Sequence, residues 1–143
     1  MYRIGIDLGG TNIAAGLVNE KFEILAKQST PTLVGRPSEQ IVDDIAMLCK
    51  NLCAEVEKLS IDPFYKEQIL LNARMVMFSA AVCKIRLGEM PDANGIQALI
   101  DEADAMDAAF IRLWDVENYA EGKMEFLSQL RGRRADLVTL LEK

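Results

Sequence analysis

The spacing of the apolar residues changes at about residue 37, from the alternation typical of strands to the three- and four-residue spacing typical of helices. Before that point, the alternating residues predict three short strands over 2–8, 12–18 and 22–29. The polar residues 19–21 predict the turn between the second and third strands. The first part of the chain is therefore predicted to form a three-stranded antiparallel meander.

Helical spacing then continues along the rest of the chain. Ser38 is predicted as the N-cap of a first helix over 38–58, in which apolar residues follow a helical stripe. After Pro63, three more helices are predicted over about 64–87, 96–119 and 123–141, with Gly88, the PDANG loop and Gly122 between them. The predicted class is α/β in the α+β sense: a strand-and-helix segment at 1–58, then an antiparallel three-helix bundle at 61–143.

Composition limits the classes of protein that this chain can belong to. Half of its 143 residues are apolar, so it can bury a core, and its net charge is −6. Its one small basic cluster, Arg131, Arg133 and Arg134, is predicted to be a solvated helix face, and we expect no nucleic-acid partner. The N-terminal residues lack a long apolar region and no stretch approaches about 18 uncharged residues, so we expect a cytoplasmic protein with no membrane partner.

The three cysteines, Cys49, Cys53 and Cys83, lie within apolar periodic stretches. Without a signal peptide, an odd number of cysteines indicates reduced thiols. Cys49 and Cys53 are four residues apart on a predicted helix and could share a metal, but the sequence has no histidine to complete a typical zinc set. We therefore expect core packing for these thiols and no zinc.

The candidate site is the sequence DLGGTN, at the turn between the first two predicted strands. Gly9 and Gly10 let the backbone turn tightly and bring its N–H groups close to an anion. The hydroxyl of Thr11 can donate to a phosphate oxygen, and Asp7 can hold a hydrated Mg²⁺ through water. These groups, with Asn12, suit the phosphate tail of a nucleotide such as ATP with Mg²⁺. A bare DxGGT is equally compatible with a glycine hairpin in which Asp7 caps its own turn.

The residues around this motif resemble a known family. YRIGIDLGGTNIAAGLVNEKFEIL, then STPT and GRPSEQIVDDIAMLCK, are similar to the N-terminal segment, about residues 1–57 here, of ROK-family sugar kinases such as bacterial glucokinases. The resemblance implies the start of an actin- and hexokinase-type fold in which this turn is the first phosphate motif. In that family, ATP gives its terminal phosphoryl group to a hexose hydroxyl with Mg²⁺ assisting. Asp7, Gly9, Gly10, Thr11 and Asn12 match the motif position by position.

The resemblance also implies parts that this sequence does not show. Family members continue into a sugar-binding loop, a catalytic Asp, a cysteine-rich zinc motif with a histidine, and a second glycine-rich lobe that binds adenosine. Without a general base, attack by a sugar hydroxyl is not supported, so no catalytic residue is assigned and enzyme activity stays undecided. The chain is interpreted as a truncated or fused kinase piece, with nucleotide phosphate and a second protein chain or a homo-oligomer as expected partners.

A second resemblance covers about residues 61–143. Leu113, Trp114, Glu117, Asn118 and Gly122 are similar to a stretch of the helical domain that follows the catalytic barrel in bacterial family-20 β-N-acetylhexosaminidases. It implies a helical packing module with no catalytic residue. This gives the alternative hypothesis of a non-enzymatic interaction module, in which the strand hairpin is only a scaffold.

Two side-chain sets in the helical half have a functional and a structural interpretation. The acidic cluster of Asp101, Glu102, Asp104 and Asp107 is interpreted as a solvated face rather than as a paired-acid site. Phe110 and Trp114 could stack on a sugar, but their place on an apolar stripe favours the core.

Overall fold

The structure is a computed structural model of the 143-residue chain, and it describes residues 2–117 and 123–142. A three-stranded antiparallel sheet of order β1-β2-β3 precedes four helices, which confirms the mixed α/β class. The elements are β1 (Arg3–Leu8), β2 (Asn12–Val18), β3 (Ile24–Pro31), α1 (Ser38–Lys58), α2 (Pro63–Arg86), α3 (Ala93–Glu117) and α4 (Lys123–Leu141).

The third strand starts two residues later than the sequence predicts, because the turn before it is longer. Asn19 organises this turn: its side-chain oxygen accepts hydrogen bonds from the amides of Lys21 at 2.9 Å and Glu23 at 3.0 Å. Phe22 adopts a φ of 63°, a left-handed conformation that a strand residue does not take. Residues 19–23 therefore form the turn, and the strand begins at Ile24.

The helix starts also differ in detail from the predictions. Ser38 is the first helical residue rather than the N-cap, since Pro37 occupies the N-cap position and no side chain caps the helix there. Asp62 caps α2 by accepting a hydrogen bond of 2.8 Å from the amide of Phe64. Asp92 accepts a hydrogen bond of 2.8 Å from the amide of Gly95 at the start of α3. Helix α3 begins at Ala93, so the last three residues of the predicted PDANG loop are helical.

One face of the sheet is covered by helices. From β2, Ile13 and Ala15 pack with Leu48 and Leu52 of α1 in one buried cluster. A second cluster joins Leu17 of β2 to residues of both helices, Val56 of α1 and Ile69 of α2. Helices α1 and α2 therefore cover this face of the sheet, whereas Ile24 is 65% exposed on the other face.

The chain divides into two compact units, Met1–Leu87 and Gly88–Lys143. Helix α2 belongs to the first unit because it packs against α1 and reaches β1. The second unit is a helix pair, α3 with α4, so the division falls later than the 58–61 region that the sequence suggests. Gly88 begins the second unit with a φ of 110°, a left-handed conformation that suits glycine after the helix end.

Helix α2 is more apolar than a surface helix of a soluble protein usually is. It is the one helix of the described chain that is long and apolar enough to cross a membrane by length and composition, and a third of its most apolar stretch is buried. Arg74 and Lys84 lie within it, and it packs on α1 in the first unit. A single helix of this kind is weak evidence for a membrane protein, because the core helix of a soluble protein meets the same criterion.

Candidate functional site: the glycine hairpin and the open face of the sheet

The candidate site is the hairpin loop that joins β1 to β2. The amide of Gly9 donates a hydrogen bond of 3.0 Å to the carbonyl of Asn12, which closes the loop. Residue Thr32, after β3, holds the loop from the neighbouring strand: its amide donates to the carbonyl of Thr11 at 2.8 Å, and its hydroxyl donates to the carbonyl of Gly9 at 2.6 Å. Thr32 is buried, at 5% exposure, so the loop is held on two sides by fixed backbone partners.

The two glycines have different roles in this loop. Neither adopts a left-handed φ. A Cβ on Gly9 would lie 3.0 Å from the carbonyl oxygen of Asn12, which is closer than real Cβ atoms normally come to backbone. A Cβ on Gly10 would meet nothing within 4 Å. A side chain at residue 9 would therefore be crowded against the loop backbone, whereas glycine at residue 10 leaves an open approach to the backbone.

The functional groups of the motif are free. Among residues 2–117 and 123–142, no hydrogen bond joins another residue to the Asp7 carboxylate, the Thr11 hydroxyl or the Asn12 amide side chain. The same holds for the backbone N–H groups of Gly10 and Thr11. All of these residues are exposed. The loop thus presents two amide donors, a hydroxyl and a carboxylate on a rigid turn, which is a donor set suited to an anion with a bound cation.

Asp7 also belongs to the face of the sheet that α1 and α2 leave open. The strand register places Asp7 beside Ala14, and Gly5 beside Gly16, on this face. Small residues leave a shallow groove of about 380 Å³ over the face. The groove begins at the carboxylate that the sequence assigns to the phosphate motif.

Lys27 is a groove residue that the sequence analysis missed. It lies beside Gly16 on β3, and within the described part of the chain no side-chain or backbone group pairs with its ammonium group. From the strand spacing, its Cα is about 12 Å from that of Asp7. Alternation along β3 shows which residues share a face with Lys27. The registers of β1 with β2 and of β2 with β3 are also needed to place Asp7 on that face. The open face therefore carries a carboxylate at one end and, near the other, a lysine ammonium group that has no partner among the described residues.

The comparison with protein families concerns the same part of the chain. Residues 3–61 match the ROK family. The match contains the whole sheet, the hairpin loop and α1, and it spans less than half of the chain. It confirms the resemblance of the N-terminal segment to the ROK family. No curated protein and no solved structure matches the chain significantly.

Two arginines of α4 pair with two aspartates of α3. Arg131 of α4 forms two hydrogen bonds with the carboxylate of Asp107 on α3, at 2.7 and 3.0 Å. Arg134 pairs in the same two-point way with Asp104, and this hydrogen bonding lowers the pKa of Asp104. Part of the acidic cluster and part of the basic cluster therefore form bridges between α3 and α4, which the separate reading of each helix did not reveal.

The aromatic residues of the helical half contribute to packing. Phe110 stacks on Phe126 of α4, with ring centroids 4.3 Å apart, and lies 5.1 Å from the ring of Trp114. Leu113 is buried. Asn118 and Gly122, two residues of the stretch that resembles the hexosaminidase domain, lie outside the described residues.

The cysteine pair lies in α1. Cys49 is buried, and this burial raises the pKa of its thiol to about 11, with a smaller contribution from Cys53. Burial also raises the pKa of Cys53. Cys83 is likewise a free thiol. Within the described ranges, no group of three or more His, Cys, Asp or Glu side chains is arranged to hold a metal ion.

Proposed function

We propose that the loop at residues 7–12 binds the phosphate tail of a nucleotide, ATP with Mg²⁺, as the phosphate-binding part of a ROK-type sugar kinase. The proposal rests on one observation: the loop has a fixed backbone and exposed polar groups. Its backbone is fixed by Thr32, while its donors and the Asp7 carboxylate are exposed and make no hydrogen bond to another residue in the described part of the chain. Because a fixed set of free donors loses little conformational entropy when it binds an anion, this loop is prepared for a phosphate group. The match of residues 3–61 to the ROK family supports the choice of nucleotide.

Each residue of the motif has a role in this proposal. The amides of Gly10 and Thr11 and the Thr11 hydroxyl donate to phosphate oxygens, and Gly10 lets the phosphate approach because it has no side chain. Asp7 holds a hydrated Mg²⁺ through water, as a single carboxylate commonly does for this ion. Asn12 flanks the phosphate at the start of β2.

Phosphoryl transfer needs more than these residues supply. A hexose hydroxyl must lose its proton to a base as it attacks the phosphorus, and the motif contains no group that we assign to that step. We therefore propose nucleotide binding without catalysis for these 143 residues alone. A second protein chain that supplies the base and an adenosine-binding lobe would complete a hexose kinase.

Calorimetric titration with Mg²⁺ and ATP tests the proposal. We expect binding by the unmodified chain, and about tenfold weaker binding or none in Thr11→Val, which removes one donor to a charged group. Gly10→Ala should also weaken binding without unfolding the chain, since its Cβ meets no neighbour. Thr30→Val on β3 is the matched control, because the Thr30 hydroxyl has no hydrogen-bond partner among the described residues.

Two outcomes would contradict the proposal. One is the absence of heat with the unmodified chain at millimolar ATP, and the other is equal binding by all variants. Either result would favour the alternative, in which the hairpin is a scaffold and the helical residues form an interaction module. Repeating the titration with glucose or N-acetylglucosamine tests whether a sugar changes the affinity for ATP.

A further inference from the structure

The outer edge of β1 has backbone groups without hydrogen-bond partners among the described residues. The sheet order makes β1 an edge strand, and no other described strand pairs with its outer side. The hydrogen bond from Gly9 to Asn12 continues the β1–β2 register and fixes which backbone groups point outward. By the alternation of an antiparallel ladder, the N–H and C=O groups of Ile4, Ile6 and Leu8 point to the free edge. None of them bonds to another residue in the described part of the chain.

The two edges of the sheet differ in how they resist pairing. The β3 edge carries Lys27 and Pro31, and the β2–β3 register is irregular at Leu17 and Val18. These features are common on edges that avoid further pairing. Strand β1 has no proline and no irregularity, and Leu8 on it is 57% exposed. Of the two edges, β1 is therefore the one open to another strand.

We propose that β1 pairs with β1 of a second copy of this chain, antiparallel and centred on Gly5, so that two sheets join into one of six strands. In this register Arg3 lies directly opposite Asp7 of the second copy, and the reverse pair forms by symmetry. Ile4 lies opposite Ile6 of the second copy on the helix-covered face. The strand is thus complementary to itself in both charge and shape.

Backbone geometry and charge select this register together. The outward-pointing groups belong to even-numbered residues, so each hydrogen-bonded pair must join two of them. Sliding the second strand by two residues removes the Arg3–Asp7 pairs, and a slide of four puts two Asp7 or two Arg3 side chains directly opposite each other. Like charges in directly opposite positions are unfavourable. Only the register centred on Gly5 both pairs the outward-pointing backbone groups and places Arg3 opposite Asp7.

Gly5 suits the centre of this interface. In an antiparallel ladder its own N–H and C=O face β2, so the two copies of Gly5 form a pair without hydrogen bonds, with Cα atoms about 4.5 Å apart. Gly5 is exposed, and a Cβ on it would meet nothing within 4 Å.

Helix α2 lies close to this edge on the covered face of the sheet. It contacts β1, and Ile69 of α2 packs in the same cluster as Tyr2 and Ile4. A two-fold axis perpendicular to the sheet, midway between the two copies of Gly5, keeps the helices of both copies on one face. The apolar side chains of the paired strands, Ile4 and Ile6, then lie on the same covered face in both copies.

Charge reversal with measurement of the association constant tests the pairing. Sedimentation analysis of the full chain should show a monomer–dimer equilibrium. Arg3→Asp places two pairs of acidic residues opposite each other, and Asp7→Arg places two pairs of basic residues, so each should weaken the dimer roughly tenfold or more. The double variant Arg3→Asp with Asp7→Arg restores opposite charges and should recover most of the lost affinity. Circular dichroism confirms that each variant is folded.

A cross-link gives an independent readout of the register. Gly5→Cys should form a disulfide between two copies under oxidised glutathione, because the expected Cα separation lies in the range that disulfides span. Gly16→Cys on β2 is the matched control: its Cβ also has only ordinary contacts, but it lies one strand away from the interface. Peptide mapping separates this disulfide from any formed by the three native cysteines.

The proposal fails if the chain remains monomeric at high micromolar concentration. It also fails if a dimer forms and the single charge reversals leave its association constant unchanged. Equal cross-linking of the Gly16→Cys and Gly5→Cys variants would contradict the proposal as well. Both proposals use Asp7, so sedimentation is measured without ATP and Mg²⁺. The Gly5→Cys cross-link leaves Asp7 unchanged, and it therefore tests the pairing separately from the nucleotide site.

Discussion

The hydroxyl of Thr32 donates a hydrogen bond of 2.6 Å to the carbonyl of Gly9, 23 residues earlier in the chain. This contact ties the loop of the β1–β2 hairpin to the residue that follows β3. Removing the hydroxyl while keeping the side-chain shape, in Thr32→Val, leaves a partly buried carbonyl without its partner. We expect a loss of about 1–2 kcal/mol in the free energy of unfolding. Urea denaturation measures it, and Thr30→Val should change stability little because its hydroxyl has no partner among the described residues.

The two loop glycines should respond differently to alanine. Gly9→Ala forces a Cβ to within 3.0 Å of the Asn12 carbonyl oxygen, so we expect a loss of about 1–3 kcal/mol in the free energy of unfolding. Gly10→Ala has open space and should stay within about 0.5 kcal/mol of the unmodified chain. Thermal and urea unfolding of both variants test the contrast. Equal destabilisation would show that the loop geometry described for Gly9 and Gly10 is incorrect.

The buried thiol of Cys49 makes stability depend on pH in the alkaline range. Its folded-state pKa of about 11 exceeds the reference value of 9.0. The folded state therefore holds this proton more tightly than the unfolded state, and the stability linked to it is complete below pH 9 and is lost as pH rises towards 11. The pH dependence of urea denaturation should be flatter in Cys49→Ala over this window. Identical slopes would contradict the assignment to Cys49.

The same burial should protect Cys49 from reagents. Because the thiolate is the reactive form, a raised pKa and an inaccessible sulfur both slow alkylation. Iodoacetamide at neutral pH followed by peptide mapping should label Cys53 and Cys83, which are half-buried, before Cys49. Labelling of Cys49 at the same rate as the other two would indicate that α1 opens locally.

The bridge between α3 and α4 should be visible in the titration of Asp104. The Arg134 guanidinium lowers the pKa of this carboxyl through hydrogen bonding, so the stability linked to it is present above the reference pKa of 3.8 and is lost as pH falls through the lower folded-state pKa. Arg134→Gln should return the pKa of Asp104 towards 3.8, as followed by NMR. Arg131→Gln, which removes the neighbouring bridge to Asp107, is the control and should leave Asp104 close to its original value.

The sequence determined the elements and the position of the candidate loop, because both depend on local properties. Alternating and helical spacing of apolar residues reflect which side of a strand or helix is buried, and they gave three strands, four helices and the hairpin at Gly9 and Gly10. Errors occurred at element ends, where single side chains decide the boundary. Asn19 lengthened a turn and Asp92 started α3 early, through hydrogen bonds that periodicity does not show.

The tertiary structure decided what surrounds the candidate loop. Thr32 contacts Gly9, and Lys27 lies on the face of Asp7, because pairing of β2 with β3 brings distant residues to one edge and one face. The pairs of α4 arginines with α3 aspartates likewise depend on how two helices pack. Residues close in sequence reveal their relationship through spacing, whereas residues far apart in sequence meet only through the register of strands and the packing of helices.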